Sequence, residues 1–186
     1  IATNTAANSK NIIQKTKVFN SIEDALLDFH YVVAMSARKR YLQKPYQKDI
    51  QELFNQFPIN KNIAILFGPE NSGLSNEDLK LADLIFNINT SSSNPSLNLS
   101  HAVLIFSFSW RNFFLLQKKT PKNNILNNKM ALKKDFHYFM NFLKQELDEV
   151  GFLYPKNKAK SMIENIETML IRASLSKTEI QTLWGM

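Results

Sequence analysis

Three short stretches of this chain have residue types and spacing suited to chemistry. In FGPENSGLS (67–75), two of the chain's four glycines, Gly68 and Gly73, bracket the carboxylate of Glu70 at the end of an apolar run. In SLNLSH (96–101), Ser96 and Asn98 stand at the mouth of a long apolar segment, and in MSARKR (35–40) small residues run into cations. Phosphate cradling by a P-loop requires Lys-Ser/Thr after the last glycine, but Leu74-Ser75 follows here. A dinucleotide fingerprint requires three glycines as G-x-G-x-x-G and is absent. That leaves a strand-to-helix turn, with glycine supplying positive φ and Pro69 fixing the entry. On these residues alone Glu70 reads as a solvated charge. Ser96 and Asn98 fall at the expected N-cap and second position of a helix, where unpaired N–H groups and the positive dipole end favour an anionic or acceptor-rich ligand; capping alone is the plainer alternative.

The elements that would carry these loops alternate in an α/β manner. SIEDALLDF (21–29) opens with a Ser21/Asp24 capping-box pattern and predicts a helix; YVVA (31–34) predicts a buried strand. KDIQELFNQF (48–57) predicts a second helix, and NIAILF (62–67) a second strand. Ser75 and Asp78 form another capping-box pattern ahead of NEDLKLA, and LIFNI (84–88) predicts a third strand. The Ser/Asn-rich NTSSSNPS (89–96) then feeds a long helix from Leu97 to about Gln117. Strands apolar on both faces and separated by helices imply a parallel sheet covered on both sides, with ligands beyond the strands' carboxyl ends. The three loops singled out above all leave such ends.

Residues 118–134, with six lysines and no acid, read as a basic linker. Residues 135–186 read as a small helical domain: Phe136, Phe139, Leu143, Leu147 and Val150 recur at helical spacing, and Gly151 is placed to end that helix in the left-handed region. Met162, Ile163, Ile166, Met169 and Leu170 mark a second helix, and Ser176 with Glu179 starts a third.

Formal charge is +7. Residues 1–134 hold 17 Lys and Arg against 9 Asp and Glu, while 135–186 hold 6 against 7. A one-signed field over the first part would steer a polyanion such as RNA there, although Lys and Asn enrichment from an AT-rich genome is an alternative source. The absence of cysteine removes any disulfide framework and any Cys-based zinc site, and favours a cytoplasmic compartment. AVLIFSFSW (102–110), followed by Arg111, reads as a buried helix too short to span a bilayer.

In order along the chain, YVVAMSARKRY, the strand leading into FGPENSGLS, SLNLSHAV, and the closing GFLYP and MLIRASLSKTEIQTLWGM resemble the SpoU (TrmH-like) RNA 2′-O-methyltransferases of the SPOUT superfamily, specifically the TrmJ branch, which methylates tRNA. The resemblance covers most of the chain. It implies that residues 1–117 form a SPOUT domain whose carboxyl-terminal part is tied in a deep trefoil knot, with S-adenosylmethionine held in the knot loops. Carried over by position, the cofactor residues are Met35, Ser36, Ala37, Gly68, Ile88, Pro95, Ser96 and Leu97. Gly68 would let the backbone approach the cofactor without a Cβ in the way; Met35 departs from the smaller residue that relatives tend to carry.

Glu70, Ser96 and Asn98 are implied to form the catalytic polar network, and Arg38, Lys39, Arg40 and Lys44 to contact RNA, tRNA first and ribosomal RNA as the alternative. Relatives act as homodimers, with the long apolar helix a contributor to the interface; no membrane and no metal are implied. The family attributes proton removal to an arginine in an Asn-x-Gly…Arg motif that these residues lack. A strand-helix-strand portion upstream of Ile1 is therefore expected, with a catalytically silent RNA-binding relative as the alternative. His101 reads as a packed or exposed residue rather than a substitute base. A nucleotide-binding α/β enzyme unrelated to methyl transfer is the third reading.

Overall fold

Caps and apolar runs set the element boundaries in the computed structural model, which describes residues 9–38, 44–58, 60–91, 96–117 and 130–186. In chain order, α1 is Lys10–Gln14, α2 Ile22–Leu26, β1 Tyr31–Met35, β2 Tyr46–Gln47, α3 Ile50–Asn55, β3 Ile63–Leu66, α4 Asn76–Lys80 and β4 Leu84–Phe86. Then come α5 Leu99–Gln117, α6 Lys133–Glu149, α7 Lys156–Arg172 and α8 Lys177–Trp184. Ser21 accepts from the Asp24 N–H at the start of α2, Asp49 caps α3, and full capping boxes (Ser75 with Asp78, Ser176 with Glu179) open α4 and α8. The exposed α1 and the two-residue β2 carry no periodic signal that a sequence reading could use.

The four strands form one parallel sheet in the order β2-β4-β1-β3, with Val33 of β1 aligned to Ile65 of β3 and to Leu84 of β4. Alternation along the strands divides the core into two layers. Tyr31, Val33, Leu84 and Phe86 face Leu53 and Phe54 of α3 and Phe106 and Phe113 of α5. Val32, Ala34, Ala64 and Ile85 face Leu26 of α2 and Leu79 of α4. Phe54 lies edge-on or tilted against Phe106, Trp110 and Phe113 at centroid distances of 5.5, 5.2 and 5.1 Å, which docks α5 on α3.

A separate core holds the helical unit together: Phe139 and Met140 of α6, Ile166 and Leu170 of α7, and Ile180 of α8. Gly151 ends α6 at φ +76°. The unit is anchored to the sheet by main chain and by charge. Lys133 and Lys134 N–H groups donate to the Phe29 and Leu27 carbonyls, Lys133 Nζ lies 2.7 Å from the buried Asp83 carboxylate, and Lys80 of α4 lies 2.7 Å from Glu164 of α7. The first part of the basic segment, residues 118–129, lies outside the described residues.

The long helix departs from expectation. Rather than being buried, α5 turns only the Phe106 and Phe113 side toward the sheet, while Val103, Leu104, Phe108, Phe114, Leu115 and Leu116 are exposed. It also continues through Arg111, so that Leu99–Leu116 is by length and composition long and apolar enough to cross a membrane, with only 11% of that window buried within the protein. Apolar composition without a polar face gave no sign of which side packs.

Candidate functional site

Beyond the carboxyl ends of β1, β3 and β4 the chain leaves a cleft of about 260 Å³. Met35, Ser36, Ala37 and Arg38 wall it from β1, Phe67 to Glu70 and Ser72 to Leu74 from β3, Phe86 and Ile88 from β4, and Ser96, Leu97, Leu99 and Ala102 from the start of α5. Of the residues singled out in the sequence, Met35, Ser36, Ala37, Arg38, Gly68, Glu70, Ile88, Ser96 and Leu97 therefore line one cavity. Pro95, Lys39 and Arg40 lie outside the described residues. A larger cleft of about 740 Å³ separates the α/β body from the helical unit, among Leu26, Leu81, Phe136, Met140, Ile163 and Ile171; none of the residues singled out for the site lines it.

The β3 loop is shaped by its two glycines in different ways. Gly73 has φ +66° with open space around a would-be Cβ, and its N–H donates to the Pro69 carbonyl at 2.7 Å, which reverses the chain. A Cβ on Gly68 would stand 2.2 Å from the Leu74 nitrogen and 2.3 Å from the Gly73 carbonyl carbon. Gly68 is thus required by the closure of its own loop, a reason the sequence reading did not supply.

Glu70 links this loop to α5. Its Oε1 accepts from Asn98 Nδ2 at 2.5 Å and from the Leu99 N–H at 3.3 Å. Asn98 is the residue that caps α5: its Oδ1 accepts from the Ser100 N–H at 3.0 Å, the Ser100 hydroxyl at 2.5 Å and the His101 N–H at 3.4 Å. The expected N-cap, Ser96, stands earlier on the cleft wall, because the helix starts at Leu99 and not at Leu97. Asn98 itself is absent from the wall and meets it through its hydrogen bond to Glu70, and His101 is exposed and also off the wall.

Lys44 is a correction of another kind. Expected to face RNA, it is buried at 9% exposure and its Nζ donates to the Lys80 and Ala82 carbonyls at 2.6 and 2.7 Å, where α4 ends. Burial pulls its ammonium down to about 8, against the opposing pull of the nearby Asp83 carboxylate. A cation committed to two carbonyls is not offered to phosphates. Tyr31, on the sheet near Asp83, is pushed in the other direction, its phenol held protonated first by burial and then by that carboxylate.

Phe67, Ser72, Phe86, Leu99 and Ala102 also line the cleft and were not singled out in the sequence. The signal for Phe67 and Phe86 was their position at the carboxyl ends of apolar strands, next to the loops that form the cleft. Among the described residues no group of three or more His, Asp or Glu could hold a metal ion.

The profile of the SpoU rRNA methylase family matches residues 2–108. An uncharacterized tRNA/rRNA methyltransferase of Haemophilus influenzae is 29% identical over 97% of this chain and 74% of its own length. The tRNA (cytidine/uridine/adenosine-2′-O-)-methyltransferase TrmJ of Pseudomonas aeruginosa is 25% identical over 97% of this chain and 74% of its own. The crystal structure of TrmJ from Z. mobilis superposes with a TM-score of 0.80 at 26% identity, covering 99% of this chain and 77% of that one. With more than half its residues matched by one family profile and its strand-end loops gathered on one cleft, the chain belongs to the SpoU methylase family.

Proposed function

We propose that the cleft binds S-adenosylmethionine and that the protein is a tRNA ribose 2′-O-methyltransferase. The observation that carries this reading is the convergence of the three strand-end loops and the α5 N-terminus on one cavity in a chain of this family. The name of the Pseudomonas relative, a tRNA 2′-O-methyltransferase, supports tRNA as the substrate, and the Z. mobilis structure shares its TrmJ name.

The lining fits the cofactor in kind. Met35, Ile88 and Leu97 offer apolar surface for the adenine faces, and Ser36, Ser72 and Ser96 with adjacent main-chain groups offer polar contacts at its edges. Bound there, S-adenosylmethionine would supply the methyl group for a ribose 2′-oxygen, with S-adenosylhomocysteine as the leaving group and the hydroxyl proton released to solvent. Glu70, already accepting from Asn98 and Leu99, holds the β3 loop against α5 and so keeps both sides of the cleft in register. In-line placement of a weak hydroxyl nucleophile is worth ~7 kcal/mol or more of barrier. Arg38, exposed on the cleft wall, is placed to meet an RNA phosphate.

The same reading includes a knotted carboxyl-terminal part of the α/β domain and a homodimer. The dimer is supported by the outward stripe of α5, where Leu104 and Phe108 are 65% and 63% exposed beside Leu115. Full-length protein incubated with methyl-labelled S-adenosylmethionine and either total tRNA or ribosomal RNA, followed by nucleoside mapping, tests the assignment. Label in 2′-O-methylated nucleosides of tRNA is the expected result. Label only in ribosomal RNA would move the substrate, and donor binding without label in either RNA would favour a silent RNA-binding relative.

A further inference from the structure

A polar residue, Asn87, interrupts the apolar run LIFNI. It is 8% exposed and does not line the cleft. Its surroundings explain it. The β1–β4 ladder continues one step past the strands through the Ser36 N–H, which donates to the Phe86 carbonyl at 2.9 Å. In a continuing parallel ladder the next donor, to the Ser36 carbonyl, would be the main chain of Ile88. Here that carbonyl is met by Asn87 Nδ2 at 3.0 Å, while the Asn87 N–H donates to the Gln47 carbonyl of β2 at 3.0 Å.

We propose that Asn87 is a positioning residue for the cleft: by taking the Ser36 carbonyl with its side chain, it ends the ladder without orphaning that group and lets β1 and β4 part between Ser36 and Ile88. Both of those residues stand on the cleft wall. Substituting a side-chain donor for a main-chain one frees the Ile88 backbone from the sheet and fixes the turn at Ser36 and Ala37. Past that turn the Ser36 hydroxyl and the Arg38 main chain engage each other at 3.3 Å, so the wall is a short hydrogen-bonded loop hung from Asn87. The inference about donor affinity rests on the cofactor reading of the cleft; the inference about the wall does not.

The test uses the full-length protein in two arms. In the first, hydrogen exchange without ligand is compared between wild type and Asn87→Ala. Exchange in residues 35–38 should rise while 31–34 stay protected, and unchanged exchange at 35–38 would overturn the proposal. In the second, S-adenosylmethionine binding is titrated calorimetrically, and Asn87→Ala should weaken it ~10-fold, because a wall no longer fixed in advance must be ordered on binding. Equal affinity in wild type and variant would also overturn it. A wild type that binds no S-adenosylmethionine would defeat the reading of the cleft, and the exchange arm would still decide the role of Asn87.

If Asn87→Ala does not fold, Asn87→Asp carries the test. A carboxylate facing the Ser36 carbonyl repels it, but the protonated acid can donate a hydrogen bond, so protection of 35–38 should return as pH falls while wild type stays flat. Loss that does not recover at low pH would mean that Asn87 only fills space.

Discussion

Helix α5 and the helices of the carboxyl-terminal unit are both rich in large apolar residues, yet they spend them differently. Along α6, α7 and α8 the apolar positions fall on one side each, and Phe139, Met140, Ile163 and Ile180 are buried, most of them within the unit's own core. Along α5 apolar residues occur all round, two phenylalanines are buried, and a stripe through Leu104, Phe108 and Leu115 faces outward. Periodicity at 3.6 residues tells a reader which face will pack; a helix that lacks it is shaped by whatever covers its second side. The helical unit can thus be understood from this chain alone, whereas the outward side of α5 is accounted for only by the proposed dimer.

Two phenylalanines put that contrast to its hardest test. Phe139 is 3% exposed and Phe108 63%. Phe139→Ala should cost ~3–5 kcal/mol in urea unfolding, the range for emptying a buried aromatic site. Phe108→Ala, measured at concentrations low enough for monomer, should stay within ~0.5 kcal/mol of wild type. Similar losses at both positions would erase the difference between the two regions. A smaller effect is expected on the proposed dimer: Phe108→Glu should shift sedimentation toward monomer by a ~10-fold or greater change in the dissociation constant, the consequence of one buried apolar contact exchanged for a charge. An unaltered dimer would move the interface elsewhere.

Much of this molecule was legible before its coordinates. The three apolar strands, the capping boxes at Ser75 and Ser176 and the left-handed Gly151 follow from local rules that act within a few residues, and each occurs where those rules place it. The cleft lining could be written down in good part because a parallel sheet collects its loops at one end and the resemblance said which loops matter. What escaped depends on distance along the chain. Lys44 reads as one more cation after Arg38, and only the fold reveals the carbonyls of Lys80 and Ala82 waiting 36 and 38 residues on. Gly68 needed the three-dimensional closeness of Leu74 to be explained. Asn87 passed as part of the apolar run LIFNI, because its partner, 51 residues upstream, is brought to it only by the fold.

Lys44 also gives the comparison a pH readout, since it sits near Asp83 and Lys133, where the two regions meet. Its folded value of about 8 lies below the ordinary 10.5, so between those values the unfolded chain binds more protons than the native one. Stability therefore rises with pH from 8, by ~1–2 kcal/mol up to pH 10. Above pH 10 the trend reverses, because Tyr31 stays protonated in the native state while its unfolded counterpart ionises. Lys44→Met should remove the rise between pH 8 and 10 and keep the fall above it. A rise that persists in the variant would assign it to another group.

The two capping boxes offer the smallest and most selective comparison. Ser75 and Ser176 make the same pair of bonds, accepting from the third helical N–H while the acid at that position returns a bond to the cap N–H. Ser75→Ala and Ser176→Ala should each cost ~1 kcal/mol of stability. Their consequences for the cleft should differ, because α4 begins directly after the Gly68 to Leu74 loop while α8 lies in the helical unit, whose core is its own. Loosening the first turn of α4 loosens the cleft wall at Ser72, Gly73 and Leu74, so Ser75→Ala should weaken S-adenosylmethionine binding and Ser176→Ala should not. Equal weakening by both would mean that stability lost in the helical unit reaches the cleft, and that the two regions, distinct in how they pack, are coupled in how they open.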